Sequence, residues 1–81
     1  MCIIYTGNEE DIIYIDGMVF SLDEQYYNGT LIAYNLYLQG VLIDSYDSFE
    51  LGEKAVMEII DRLNSGTNYI NINEINLVIG A

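Results

Sequence analysis

The acidic side chains are the groups of this chain that could do chemistry, and three of them fall in DSYDSFE, residues 44–50. Paired carboxylates can support metal-assisted hydrolysis or the cleavage of glycosidic bonds. A calcium loop needs alternating acids with a central glycine and a terminal glutamate. Neither DSYDSFE nor DIIYIDG, residues 11–17, has that spacing. We therefore expect no bound metal ion and no other cofactor.

Other side chains that carry out catalysis are scarce. The chain has no histidine, so the commonest proton-transferring side chain is missing. Its one cysteine, Cys2, has no base nearby in the sequence that would activate the thiol. The serines lack the glycines of a nucleophile elbow, and no phosphate-binding glycine motif is present. We predict that the protein is not an enzyme.

DSYDSFE is better explained as the start of a helix. Asp47 followed by Glu50 matches a capping box, in which each side chain bonds the backbone N–H at the other position. Further along, apolar residues recur every three or four positions, and Gly66 can end the helix in a left-handed conformation. The pattern predicts a helix over residues 48–64, with Asp47 and Glu50 as structural groups.

The charge balance restricts the kinds of partner. Thirteen acidic residues face two basic ones, Lys54 and Arg62, which gives a formal net charge of −11. Nucleic acids and anionic membranes are bound by basic surfaces. We therefore expect no direct binding to nucleic acid and none to membranes. The partner that this charge favours is a basic protein.

The N-terminal part of the chain is predicted to form strands. CIIYT (2–6) has the composition of a short strand. IIYI (12–15) and MVFSL (18–22) flank Asp16-Gly17, a dipeptide typical of a two-residue hairpin turn. A bulge within one longer strand would also account for that dipeptide.

The remaining segments alternate between turns and strands around the helix. DEQYYNG (23–29) is predicted to be a polar turn. TLIAYNLYL (30–38) and VLIDSY (41–46) are predicted to pair as a hairpin through the dipeptide between them. After the helix, NYINI (68–72) and INLVI (75–79) are predicted to be strands.

These elements predict a single α+β domain, residues 1–81, in which an antiparallel β-sheet of four to six strands packs against one helix. A chain this short buries a modest core, and its lone cysteine cannot form an internal disulfide. Because a second copy would complete the core, we expect a homodimer. The sequence has neither a secretory signal nor an apolar run long enough to span a bilayer, so we expect a cytoplasmic protein.

The stretches IYIDGMVFSL, TLIAYNLYL and VLIDSYDSFE, followed by the helix up to Leu63, occur in an order that resembles a known family. It comprises short, uncharacterised proteins of phages, prophages and Gram-positive bacteria. Its members carry an "IDN"-like step, two strands and a "YxSEExA" helix start. The resemblance implies an antiparallel meander with one helix and assigns no catalytic residues. This chain departs from the family in having almost no lysine and in its additional C-terminal segments.

Two acidic segments indicate how a basic protein would be bound. Duplex DNA carries one charge per about 1.7 Å of its axis, so closely spaced carboxylates can imitate it. Tyrosine is favoured at binding hot spots. NEED (8–11) supplies carboxylates, and DEQYY (23–27) supplies both carboxylates and tyrosines. The candidate partner-binding residues are Glu9, Glu10, Asp11, Asp23, Glu24, Tyr26 and Tyr27.

The resulting hypothesis is a small acidic inhibitor encoded by a phage or prophage. It would block a nucleic-acid-binding host defence enzyme, such as a CRISPR effector, in the host cytoplasm. Two other functions stay open at this point. One is a sponge that sequesters a nucleotide second messenger at a subunit interface, where backbone N–H groups can hold phosphate. The other is a minor structural component of the phage particle.

Overall fold

The computed structural model describes residues 2–6, 12–15 and 19–81. In chain order these residues form β1 (Cys2–Tyr5), β2 (Ile12–Ile15), β3 (Phe20–Tyr27), β4 (Thr30–Leu38), β5 (Val41–Tyr46), α1 (Phe49–Asn64), β6 (Tyr69–Asn71) and α2 (Ile72–Ile79). The α+β class is confirmed. The expectation of one sheet with one helix is wrong, because the strands divide between two three-stranded sheets and a second helix follows β6.

The first of these sheets is an antiparallel meander in the order β3-β4-β5. Two-residue turns connect its strands, Asn28-Gly29 between β3 and β4 and Gln39-Gly40 between β4 and β5. All four turn residues have positive φ, as a type I′ turn requires, and its twist matches that of the paired strands. The predicted hairpin of residues 30–38 and 41–46 is confirmed.

The prediction of a polar turn over residues 23–29 is wrong for most of its length. Residues 23–27 are the second half of β3, paired with β4 up to Tyr27 opposite Thr30. Only Asn28 and Gly29 form the turn. Polar residues are compatible with a strand here because every residue from 23 to 27 is exposed, so no face of this segment has to be apolar.

The second sheet has the order β2-β1-β6, and its pairings explain two further differences from expectation. β1 pairs antiparallel with β2 and parallel with β6, so the fold is not wholly antiparallel. β2 and β3 belong to different sheets, so residues 12–15 and 20–22 do not pair as the predicted hairpin. Met18, the first residue of its predicted second strand, lies outside the described residues. Asp16 and Gly17 lie outside the described residues.

Helix α1 confirms the predicted helix, but its N-terminal cap is one residue later than predicted. The backbone of Ser48 is extended, and its Oγ accepts the Leu51 N–H at 3.2 Å. Ser48, not Asp47, is therefore the capping residue, because a hydroxyl serves this position as well as a carboxylate. At the other end Gly66 has φ +83° and donates to the Leu63 carbonyl, as predicted for a left-handed cap.

Residues 75–79 belong to helix α2, so the prediction of a strand there is wrong. The Asn71 side chain caps this helix by accepting the Asn73 N–H at 2.9 Å, and Gly80 ends it with φ +82°. Within it Ile72 and Ile75 are completely or almost completely buried. Burial of this helical face overrides the preference of isoleucine and valine for strands.

One hydrophobic cluster contains residues of both sheets and both helices. Helix α1 packs against β3, β4, β5 and α2. The buried members are Cys2, Ile4, Leu36, Leu38, Ile43, Tyr46, Ala55, Ile59, Ile70, Ile72 and Ile75. In the described part of the chain, neither helix has the length and apolar character needed to cross a membrane.

Candidate protein-binding surface

The predicted binding residues divide into two groups. Glu9, Glu10 and Asp11 lie outside the described residues. Asp23, Glu24, Tyr26 and Tyr27 all lie on β3, in the half of the β3–β4 hairpin that is remote from the core. We call residues 23–33, the two strand segments around Asn28-Gly29, the hairpin tip.

The hairpin tip is an exposed, partly apolar surface. Tyr26 and Tyr27 are 57% and 68% exposed, and Leu31 and Ile32 on the opposite strand are 39% and 49% exposed. A bulge falls between the pairs Gln25–Ala33 and Tyr26–Leu31, leaving Ile32 as an extra residue on β4. Such a bulge increases the local twist and redirects the side chains that follow it.

Strand alternation places Asp23 and Glu24 on opposite faces of the sheet. Glu24 shares the face of Leu22, whose methyl carbon lies 2.7 Å from the position of a Cβ built on Gly52 of α1. Asp23 is on the other face, opposite Asn35, whose Oδ1 accepts the Ser45 hydroxyl at 2.6 Å. The two neighbouring carboxylates therefore do not form one charged cluster.

Glu24 instead lies next to aromatic side chains, on the face of the sheet that is directed towards α1. The Tyr26 hydroxyl donates a hydrogen bond to the Glu24 carboxylate. This bond, followed by desolvation and then by the charge of Glu24, raises the pKa of Tyr26. Opposite Glu24 is Tyr34, whose ring meets that of Phe49 edge-on, with centroids 5.7 Å apart. The result is a carboxylate flanked by two tyrosines.

A groove between β3 and α1 continues this surface towards the core. It has a volume of about 350 Å³ and an apolar floor. Its lining includes Phe20, Leu22, Phe49, Glu53, Val56 and Met57. Sequence analysis missed this β3–α1 groove, because Phe49 and Met57 lie outside the apolar stripe of α1. Two large apolar residues outside that stripe are a sequence signal for an exposed apolar surface on α1, although not for the groove itself, and in the structure they are 46% and 67% exposed.

Both basic residues are on α1, and neither lines this groove. Arg62 is 3.2 Å from the Glu58 carboxylate and 3.7 Å from that of Glu74. Lys54 lines a neighbouring cavity, which shares Met57 with the groove and also includes Val78 of α2. Electrostatically, the surface formed by the hairpin tip and the groove is therefore acidic.

The first acid of DSYDSFE, Asp44, has structural partners. The Asn76 amide of α2 donates to Asp44 at 2.8 Å and its oxygen accepts the Tyr46 hydroxyl at 2.8 Å. Burial, followed by the charge of Asp44, raises the pKa of the Tyr46 phenol well above its usual value. Among the described residues, no three histidine, cysteine or acidic side chains are grouped so as to hold a metal ion. Cys2 is buried, and that burial raises the pKa of its thiol.

Comparison of the chain with protein-family models, curated proteins and solved structures finds no match. The similarity to short phage and prophage proteins therefore rests on the sequence stretches that suggested it. The class that the fold and the surface define is a small α+β protein with an exposed acidic and aromatic hairpin.

Proposed function

We propose that this protein is a small non-enzymatic inhibitor that binds a basic surface on a nucleic-acid-binding protein. The observation that carries the proposal is the hairpin tip, where exposed tyrosines adjoin the Glu24 carboxylate on a chain with net charge −11. In line with the resemblance, the inhibitor is encoded by a phage or prophage. Its target is a host defence enzyme, such as a CRISPR effector, in the host cytoplasm.

The side chains of the hairpin tip suit this type of interface. Tyrosines bury a large area at low entropic cost and are enriched among binding hot spots. Glu24 would form charge-assisted hydrogen bonds with an arginine or lysine that otherwise contacts phosphate. The negative net charge would accelerate encounter with a basic partner and make that encounter sensitive to salt.

Competition with nucleic acid tests the proposal directly. The protein is immobilised and incubated with a bacterial lysate, and bound proteins are identified by mass spectrometry. We expect a basic nucleic-acid-binding protein that is released by high salt and by excess duplex DNA or RNA. Retention of the partner despite excess nucleic acid would contradict the mimicry. A co-purifying nucleotide without a protein would favour the sponge.

A charge reversal localises the interaction. Glu24→Lys should reduce capture of the same protein by about tenfold, the effect of losing roughly 1.4 kcal/mol of binding free energy. Asp61→Lys is the matched control, since Asp61 is also exposed and the change in net charge is identical. Equal losses from both variants would show that overall charge, and not the hairpin tip, accounts for capture.

The homodimer is also a proposal, and α2 is the surface that supports it. Leu77 and Val78 are 80% and 61% exposed, which is unusual for adjacent large apolar residues. Sedimentation should show a dimer that Leu77→Asp dissociates, whereas a monomeric wild-type protein would refute the expectation.

A further inference from the structure

Strand β3 is an edge strand that offers backbone hydrogen bonds. In the described part of the chain, β4 is its only neighbour within the sheet. An unpaired strand edge is a template for another extended chain. The β3–α1 groove lies beside this edge and is lined by two side chains of β3, Phe20 and Leu22.

The register identifies the backbone groups at the free edge. The Gln39 N–H donates to the Val19 carbonyl at 2.8 Å, and Phe20 is the next residue, opposite Leu38. In an antiparallel pair, residues bonded to the neighbouring strand alternate with residues that are not. The N–H and C=O groups of Phe20, Leu22 and Glu24 therefore point away from β4. An added strand would pair with these three residues.

The same three residues direct their side chains towards the helix side. A strand paired with them would place every second side chain over the β3–α1 groove. The groove would receive an apolar side chain against Phe49, Val56 and Met57. Side chains of the added strand on either side of this apolar one would lie near Glu24 or Glu53. Neither Lys54 nor Arg62 lines the groove, so no basic residue there would repel a positive charge.

From this geometry we infer that the β3 edge and the β3–α1 groove bind an extended segment of the partner. The segment carries lysine or arginine residues around an apolar anchor. This inference rests on the proposed function and specifies how the partner is engaged, by addition of a β-strand. A second copy of this chain is a poor occupant, because both molecules would bring Asp23 and Glu24 to the shared edge and each has a net charge of −11.

A synthetic peptide in which lysine alternates with valine around a central leucine is a suitable probe. Added to the protein, it should slow amide hydrogen exchange at Phe20, Leu22 and Glu24. It should have little effect on Ser21 and Asp23, whose N–H groups are already directed to β4. A peptide of the same sequence with alternate backbone amides methylated keeps the charge and loses the hydrogen bonds. It should bind about tenfold more weakly.

Two variants test the groove itself. Met57→Lys and Glu53→Lys should each weaken binding of the lysine–valine peptide, and Asp61→Lys on the same helix should weaken it far less. Equal affinity for the methylated and unmethylated peptides would overturn strand addition, as would unchanged exchange at Phe20, Leu22 and Glu24. Protection of these amides in the protein alone, in step with dimer formation, would assign the edge to a second copy instead.

These outcomes are distinguishable from failure of the proposed function. Release of a captured protein by nucleic acid depends on the acidic surface, whatever the backbone geometry of the contact. If that release is observed and the methylated peptide binds as well as the unmethylated one, the inhibitor proposal stands and strand addition fails.

Discussion

The two ends of the β3–β4 hairpin share the same strands and have opposite environments. At the base, Leu36 and Leu38 of β4 are completely buried beneath α1. At the hairpin tip, Leu31 and Ile32 of the same strand are exposed. The sequence of β4 is similarly apolar along its length, so the position of the helix, and not the strand itself, determines which half joins the core. The hairpin tip is therefore available for binding at little cost to the stability of the fold.

Truncation of one leucine at each end should give the largest contrast. Leu36→Ala should lower the free energy of unfolding by about 3 kcal/mol, because a large side chain is removed from a closely packed site. Leu31→Ala, an identical change on the same strand, should cost less than about 1 kcal/mol. Urea denaturation of both variants measures the difference. Similar losses would mean that the hairpin tip is packed as tightly as the base.

The polar contact between Asp44, Asn76 and Tyr46 should give the second-largest effect at the base. Asn76→Ala should destabilise the protein by about 2 kcal/mol, since it removes both hydrogen bonds and leaves a largely buried hydroxyl without its acceptor. Asn73→Ala, on the exposed side of the same helix, is the control and should change stability by less than about 0.5 kcal/mol. Peptide binding at the β3 edge should be unaffected by either variant. Loss of binding in Asn76→Ala would show that α2 supports the binding surface.

Alkaline pH should distinguish the buried Tyr46 of β5 from the exposed Tyr26 of the hairpin tip. Folding raises the pKa of Tyr46 chiefly by burial, so its stabilising contribution is complete below the unfolded pKa of about 10. Stability should fall as the pH rises above that value towards the folded pKa, by at most about 1.4 kcal/mol per pH unit. Tyr46→Phe should flatten this fall in urea denaturation at neutral and alkaline pH. Tyr26→Phe should flatten it far less, because Tyr26 is exposed and water weakens the hydrogen bond to Glu24 that chiefly raises its pKa. Equal flattening in both variants would contradict this distinction.

Local sequence patterns predicted the parts of the fold that local interactions determine. The apolar stripe of α1, its terminal Gly66 and the two-residue turn before β5 are of this kind. The parallel pairing of β1 with β6 and the helical state of residues 75–79 depend on contacts between distant segments. No short-range pattern contains those contacts.

The candidate site shows the same limit. Composition indicated the acids and tyrosines of residues 23–27, but their assignment to a turn concealed the strand alternation that separates Asp23 from Glu24. The β3–α1 groove could not be predicted, because it exists only where Leu22 of β3 meets Gly52 of α1. A glycine on the buried face of a helix permits this close approach.

The start of α1 should give the smallest effect, and it lies where the base meets the hairpin tip. Ser48→Ala should cost about 1 kcal/mol, because the Leu51 N–H loses its side-chain acceptor. Asp47→Ala removes only a charge near the positive end of the helix and should cost about 0.5 kcal/mol or less. Since Phe49 follows Ser48 and contacts Tyr34, fraying of this turn should also weaken binding of the lysine–valine peptide in Ser48→Ala. Thermal and urea denaturation of the two variants, with peptide titrations, measure both effects. A larger loss from Asp47→Ala would restore the capping box with Glu50 and place the start of the helix one residue earlier.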